Sequence, residues 1–196
     1  MSSQYDMMDN TAWGKEVKQS MIKKAAEFAK RAHDGVYRKG TQIPYITHPM
    51  ETAAIVTAFT NEPEMIAAAL LHDVIEDAGV TKEELEEKFG SRVAFLVESE
   101  SEDKSRSWME RKGTTVEHLK SATRDEKILA LADKLSNIRS TVRDYLVLGD
   151  EVWQRFNQKD KEMQGWYYKG VAEALKEFKG HIYYEEYLML CKKIFG

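Results

Sequence analysis

Cysteine occurs once in this chain, at Cys191. A single thiol excludes an intramolecular disulfide and a cysteine metal cage, and it fits a reducing cytoplasm. No apolar run reaches the ~18 residues of a membrane span. The opening residues are polar and lack the apolar core of a signal peptide. Residues 1–14 are therefore expected to form a flexible N-terminal arm, with residues 15–196 as one domain. Excess basic charge is also missing. A net charge of −4 argues against a general nucleic-acid binder. It leaves room for an anionic substrate, because a local cluster of Arg, Lys and a metal outweighs the mean charge. There is no internal repeat, no low-complexity tract and no sustained strand-like alternation.

What is there has helical period. Lys15 to His33 places Val17, Met21, Ile22, Ala25, Ala26, Phe28, Ala29 and Ala32 on one broad apolar stripe, which Gly35 ends. Pro49 sits where a helix can start. Pro63 opens another that runs to about Asp77. Thr81 with Glu84 has the capping-box spacing. Residues 98–113 are expected to form a polar surface loop or lid, and 114–122 a short helix. A long helix then carries Ile128, Leu131, Leu135, Ile138 and Val142 inward. Two or three helices rich in Trp, Tyr and Phe complete an all-α bundle of roughly eight to ten helices, of ordinary length.

The most informative segment is Ala69-Leu-Leu-His72-Asp73-Val-Ile-Glu76-Asp77. An apolar helix there presents one imidazole and three carboxylates. On a regular helix His72 lies under Glu76 and Asp73 under Asp77. Three crowded acids repel one another unless a cation or substrate chemistry needs them. Two other segments complete a site: Pro44-Tyr-Ile-Thr-His48-Pro49 and Leu131-Ala-Asp133-Lys134-Leu-Ser-Asn137-Ile-Arg139-Ser140. His48, His72, Asp73 and Asp133 suit one octahedral divalent ion per chain. Mn²⁺ fits best, with Fe²⁺, Co²⁺, Ni²⁺ or Zn²⁺ able to substitute. Such an ion acidifies a bound water. Glu76 and Asp77 stand one turn on, placed to orient or deprotonate it. Asp133, Asn137 and Ser140 share a helix face, so Asn137 and Ser140 are candidate substrate contacts. Arg38 and Lys39 precede His48, and Arg pairs with phosphate or stacks on a base. A metal with basic neighbours points to a phosphate ester.

With Ala32-His33-Asp-Gly-Val-Tyr-Arg38-Lys39-Gly and Phe89-Gly90-Ser-Arg-Val-Ala added, these segments resemble HD-domain metal-dependent phosphohydrolases. The likeness is strongest to the (p)ppGpp hydrolase domain of the RelA/SpoT family in its stand-alone, small alarmone hydrolase form. It runs over residues ~20–145 in the family's order. The resemblance implies an HD-type helical bundle that removes the 3′-pyrophosphate of ppGpp or pppGpp and so acts in the stringent response. It also implies that His48, His72, Asp73 and Asp133 hold Mn²⁺ and that Glu76 and Asp77 activate water and handle protons. Arg38 would pack on guanine, with Lys39, Asn137 and Ser140 near the ribose or phosphates. The chain departs from the family at Lys134 and Ser136, where Arg and His are frequent, at Ser140, where Thr is frequent, and in the stretch 100–104.

Other readings stay open. The same metal chemistry serves a nucleoside monophosphate, an adenosine alarmone or NADPH. A dinuclear centre needs more histidines, and only His118 lies between the His-Asp segment and Asp133. A non-catalytic sensor would not need the full ligand set. His33 is expected to sit at a helix C-terminus near its dipole, and His118 and His181 to serve packing or surface. The acidic stretch 98–103 is expected to be solvated. Trp153, Trp166, Tyr167 and Tyr168 are expected in the core or an interface.

Overall fold

The computed structural model describes residues 12–196, so most of the expected arm over residues 1–14 lies outside the described residues. The alanine-rich stripe forms α1, Ala12–Ala32. Its Ala25 and Ala29 are fully buried, and their small side chains let α1 lie close along α3. Gly35, at φ +72°, makes the turn that ends this segment. The connecting loop is pinned by one antiparallel bridge between Tyr37 and Pro44. α2, Thr47–Val56, takes Pro49 in its first turn, where a missing N–H costs nothing.

α3, Pro63–Leu71, is the central element. Every residue from Met65 to Leu71 is buried, so it is covered on all sides. Each such Leu or Ile contributes roughly 1.5–3 kcal/mol by leaving water. α2 packs on α3 and on α8, Arg124–Leu148, which spans 25 residues and forms the second core wall. Between them in sequence run α4, Val74–Ala78, α5, Lys82–Phe89, α6, Ser91–Glu100, and α7, Trp108–Ser121. A 3₁₀ turn over Gly149–Arg155 and α10, Ile182–Phe195, pack on α8, while α9, Lys161–Ala174, packs on α7 and α10. No strand occurs among the described residues. None of their helices is long and apolar enough to cross a membrane. The all-α expectation therefore agrees with the fold.

Three boundaries differ from the sequence reading. The helix opened by Pro63 stops at Leu71 and restarts at Val74. The break falls on His72 and Asp73, and Asp73 takes φ −97° and ψ −4° rather than helical values. α6 continues to Glu100, so only residues 101–107 form a loop. α7 begins at Trp108 instead of near residue 114, because Ser107 and Glu110 make a reciprocal capping box. Thr81 accepts from the Glu84 N–H at 3.2 Å, the forward half of its expected box.

Candidate metal centre and substrate cleft

The break after Leu71 lets two adjacent side chains aim at one point. On a regular helix His72 and Asp73 would diverge by ~100°. In the turn, His72 Nε2 and Asp73 Oδ2 come within 2.9 Å. α2 brings His48 Nε2 to 3.1 Å from His72 Nε2, and α8 brings Asp133 Oδ1 to 3.0 Å from His48 Nε2. The two remaining imidazole–carboxylate distances are 3.4 and 3.5 Å. His48, His72 and Asp133 form a buried group whose potential ligand atoms all lie within 4.8 Å of one another. Asp73 joins through both imidazoles.

These atoms fit a divalent cation. His72 Nδ1 is 2.8 Å from the Ala69 carbonyl, which can only accept, so Nδ1 carries a proton and Nε2 is the nitrogen turned toward the group, free to give its lone pair to a cation. Neighbouring ligands of an octahedral ion with bonds of ~2.1 Å stand ~3.0 Å apart, close to the spacing seen here. The surroundings orient the carboxylates. The Tyr45 hydroxyl donates to Asp73 Oδ2 at 2.7 Å. Asn137 Nδ2 donates to Asp133 Oδ1 at 2.6 Å, and Lys134 Nζ contacts Asp133 Oδ2. Burial pushes the Asp73 carboxyl up, but His72 and His48 outweigh it and hold the group well below the carboxylate range. Asp133 behaves alike: burial raises it, and Lys134 with both histidines takes it well below. Both acids are therefore held in the anionic form a cation would need.

Glu76 and Asp77 sit on α4 beside this group. Glu76 is pushed up by burial first, then by the charges of Glu102 and Asp77, with Lys104 opposing. Lys104 crosses from the loop 101–107 and donates to Asp77 Oδ1 at 2.9 Å and to the Glu76 carbonyl at 2.7 Å. The expectation of a solvated acidic stretch fails at two positions. The Glu100 and Glu102 side chains are only 7% and 10% exposed. Cations hold them in. Lys134 lies 3.3 Å from Glu100, while Arg111 and Lys112 meet Glu102 at 2.9 and 2.8 Å.

A polar cleft of about 670 Å³ opens over the carboxylates and runs along α8. Arg38, Lys39, Asn137 and Ser140 all line it. Arg38 Nη2 donates to Asn137 Oδ1 at 3.0 Å, and its guanidinium lies 5.7 Å from the Tyr45 ring centre. Ser140 Oγ accepts from Arg143 at 3.1 Å. Arg155, which pairs with Asp144 at 2.6 Å, also lines the cleft together with residues 156–158. The α8 residues that line the cleft run from Asp133 to Thr141, about 12 Å along the helix axis.

Sequence reasoning missed Tyr45, Lys112 and the 155–158 wall. Tyr45 stands in the His48 segment and Lys112 in a visible basic run, but nothing in the sequence tells which way either faces. Tyr167 and Tyr168 are packed as expected and also form cleft wall. Trp153 is buried, whereas Trp166 is exposed. His33 directly follows the last residue of α1, as expected, but it is buried against the Tyr45 ring, and burial lowers its pKa. His118 pairs with Glu126 at 2.9 Å, and His181 caps α10 while stacked on Phe59.

The HD-domain family model matches residues 25–159, a span that includes His48, His72, Asp73 and Asp133. The chain belongs to the HD-domain family. Its relatives include the guanosine-3′,5′-bis(diphosphate) 3′-pyrophosphohydrolase MESH1 of Xenopus tropicalis, 35% identical over 164 residues that cover 82% of this chain and 86% of that protein. A solved metazoan orthologue of SpoT that hydrolyses ppGpp superposes with a TM-score of 0.74 at 25% identity, covering 88% of this chain and 94% of its own. The crystal structure of lmo0812 from Listeria monocytogenes EGD-e gives a TM-score of 0.70 at 34% identity, covering 76% and 98%. As an HD-domain chain, this protein carries its His-Asp pair in the turn between α3 and α4.

Proposed function

We propose that this HD-domain protein is a cytoplasmic 3′-pyrophosphohydrolase of (p)ppGpp, with Mn²⁺ held by His48, His72, Asp73 and Asp133. One observation carries the reading. Two Nε2 lone pairs and two anionic carboxylates converge at the end of a nucleotide-sized cleft, with a half-buried carboxyl of raised pKa one turn away. The matched relatives named for ppGpp hydrolysis support the choice of substrate.

A divalent ion held by these four residues would supply a water of lowered pKa and would stabilise charge on the phosphoryl oxygens. Glu76 accepts the water proton at its carboxylate, and its raised pKa brings it nearer to neutrality, where a general base works best. Asp77, fixed by Lys104, orients that water. The new bond joins the water oxygen to the phosphorus attached to the ribose 3′-oxygen. The bond from that phosphorus to the 3′-oxygen breaks, the 3′-oxygen takes a proton, and GDP or GTP leaves with pyrophosphate. Arg111 and Lys112 offer N–H donors to the pyrophosphate oxygens from the α7 wall. Arg38 packs on the guanine, while Lys39, Asn137 and Ser140 contact the ribose or 5′-phosphates.

A substrate panel tests this reading. Mn²⁺-dependent release of pyrophosphate and orthophosphate is measured from ppGpp, pppGpp, their adenosine analogues, NADPH and nucleoside monophosphates. Pyrophosphate from the guanosine substrates is the expected product. Orthophosphate from another nucleotide, with ppGpp untouched, would contradict the assignment.

A further inference from the structure

Ser136 is 1% exposed, so its hydroxyl must find its partners inside the protein. It lies 2.8 Å from His48 Nδ1 and 2.8 Å from Glu51 Oε2. A carboxylate only accepts, so the hydroxyl proton is given to Glu51 and the oxygen lone pair faces His48. Nδ1 therefore carries the imidazole proton, and Nε2 keeps its lone pair toward Asp133 and His72. Glu51 is itself held: Arg139 Nη1 donates to its other oxygen at 3.0 Å. Arg139 is fixed in turn by a two-pronged pair with Glu186, at 2.7 and 2.6 Å. The run of contacts starts on α10, crosses α8, and ends on α2 at the imidazole.

We propose that Glu51, acting through the Ser136 hydroxyl, is a positioning residue for His48: it fixes the tautomer, holds the ring and makes Nε2 a stronger donor to a divalent cation. Arg139 keeps the Glu51 carboxylate aimed at Ser136. The proposal rests on the reading that His48 holds the cation. Groups behind a metal-bound imidazole commonly set metal affinity by ~10–100-fold. An ion pair that merely clamped α2 to α8 would change folding stability and leave the intrinsic metal affinity alone.

The test is Mn²⁺ binding to the full chain, read from the electron paramagnetic resonance signal of free Mn²⁺, with thermal unfolding of the metal-free proteins recorded beside it. Glu51→Gln and Ser136→Ala are each expected to weaken binding about tenfold or more. The double variant is expected to bind no more weakly than Ser136→Ala alone, because the Glu51 effect passes through that hydroxyl. Losses below about threefold in Glu51→Gln, or additive losses in the double variant, would overturn the proposal. Glu51→Gln keeps size and polarity, so it decides alone if Ser136→Ala does not fold. His48→Ala separates the two levels. Mn²⁺ binding equal to the parent there would overturn the metal reading itself, whereas lost binding there with an unaffected Glu51→Gln would overturn only the relay.

Discussion

Replacing Lys104 by methionine tests whether Glu76 is the base. The Lys104 ammonium lies 3.6 Å from Glu76 Oε1 and opposes the burial and acidic neighbours that raise its pKa. The lysine side chain is 54% exposed, so solvent screens the interaction. With a water-like dielectric, a unit charge at that separation is worth about 1 kcal/mol, a little under one pKa unit. Methionine keeps much of the stem and removes the charge. The Glu76 pKa then rises further, and a base works only when deprotonated, so more alkaline solution is needed to reach full rate. The acid limb of kcat/KM against pH is expected to move up by about 0.5–1 unit in Lys104→Met. Both enzymes are assayed at saturating Mn²⁺, so the field of the ion cancels in the difference. A limb that stays in place or moves down would refute Glu76 as the titrating base.

Other perturbations probe separate parts of the account. Glu76→Gln is expected to keep its Mn²⁺ while kcat falls by about 10²–10⁴; parental turnover at normal metal content would remove Glu76 from the chemistry. For His72→Ala, elemental analysis after gel filtration is expected to show loss of bound Mn²⁺, and a full complement would take His72 out of the ligand set. Thr123→Ala removes the hydroxyl that accepts from the Glu126 N–H and donates to the Glu126 carboxylate at the start of α8. It should cost about 1 kcal/mol in urea unfolding with activity intact, and an unchanged midpoint would show that this cap contributes nothing.

Much of the fold is legible in the sequence because it follows local rules. The alanine stripe of α1, the Pro63 start and the inward spacing of Ile128, Leu131 and Leu135 need only helical period. The ligand candidates stand out because a carboxylate-rich tetrad interrupts an apolar run. Less legible is what tertiary contacts decide. Local propensity continues the helix through His72 and Asp73, whereas the structure turns there and both side chains gain a common target. Glu100 and Glu102 read as solvated because their cationic partners, Lys134 and the Arg111–Lys112 pair, lie 34 and about ten residues away. The Ser107–Glu110 box that starts α7 was present in the sequence, but the polar run before it masked the signal. The 155–158 wall has no chemical signature in the sequence, and Arg155 there pairs with Asp144, eleven residues earlier in the chain.

The central claim is tested most directly by following ppGpp with the protein as purified with Mn²⁺, after EDTA and desalting, and after Mn²⁺ is restored. The account predicts equimolar GDP and pyrophosphate, loss of turnover with the metal, and recovery when it returns. Turnover that persists in the metal-free protein, or a Mn²⁺-loaded protein that leaves ppGpp intact, would contradict it.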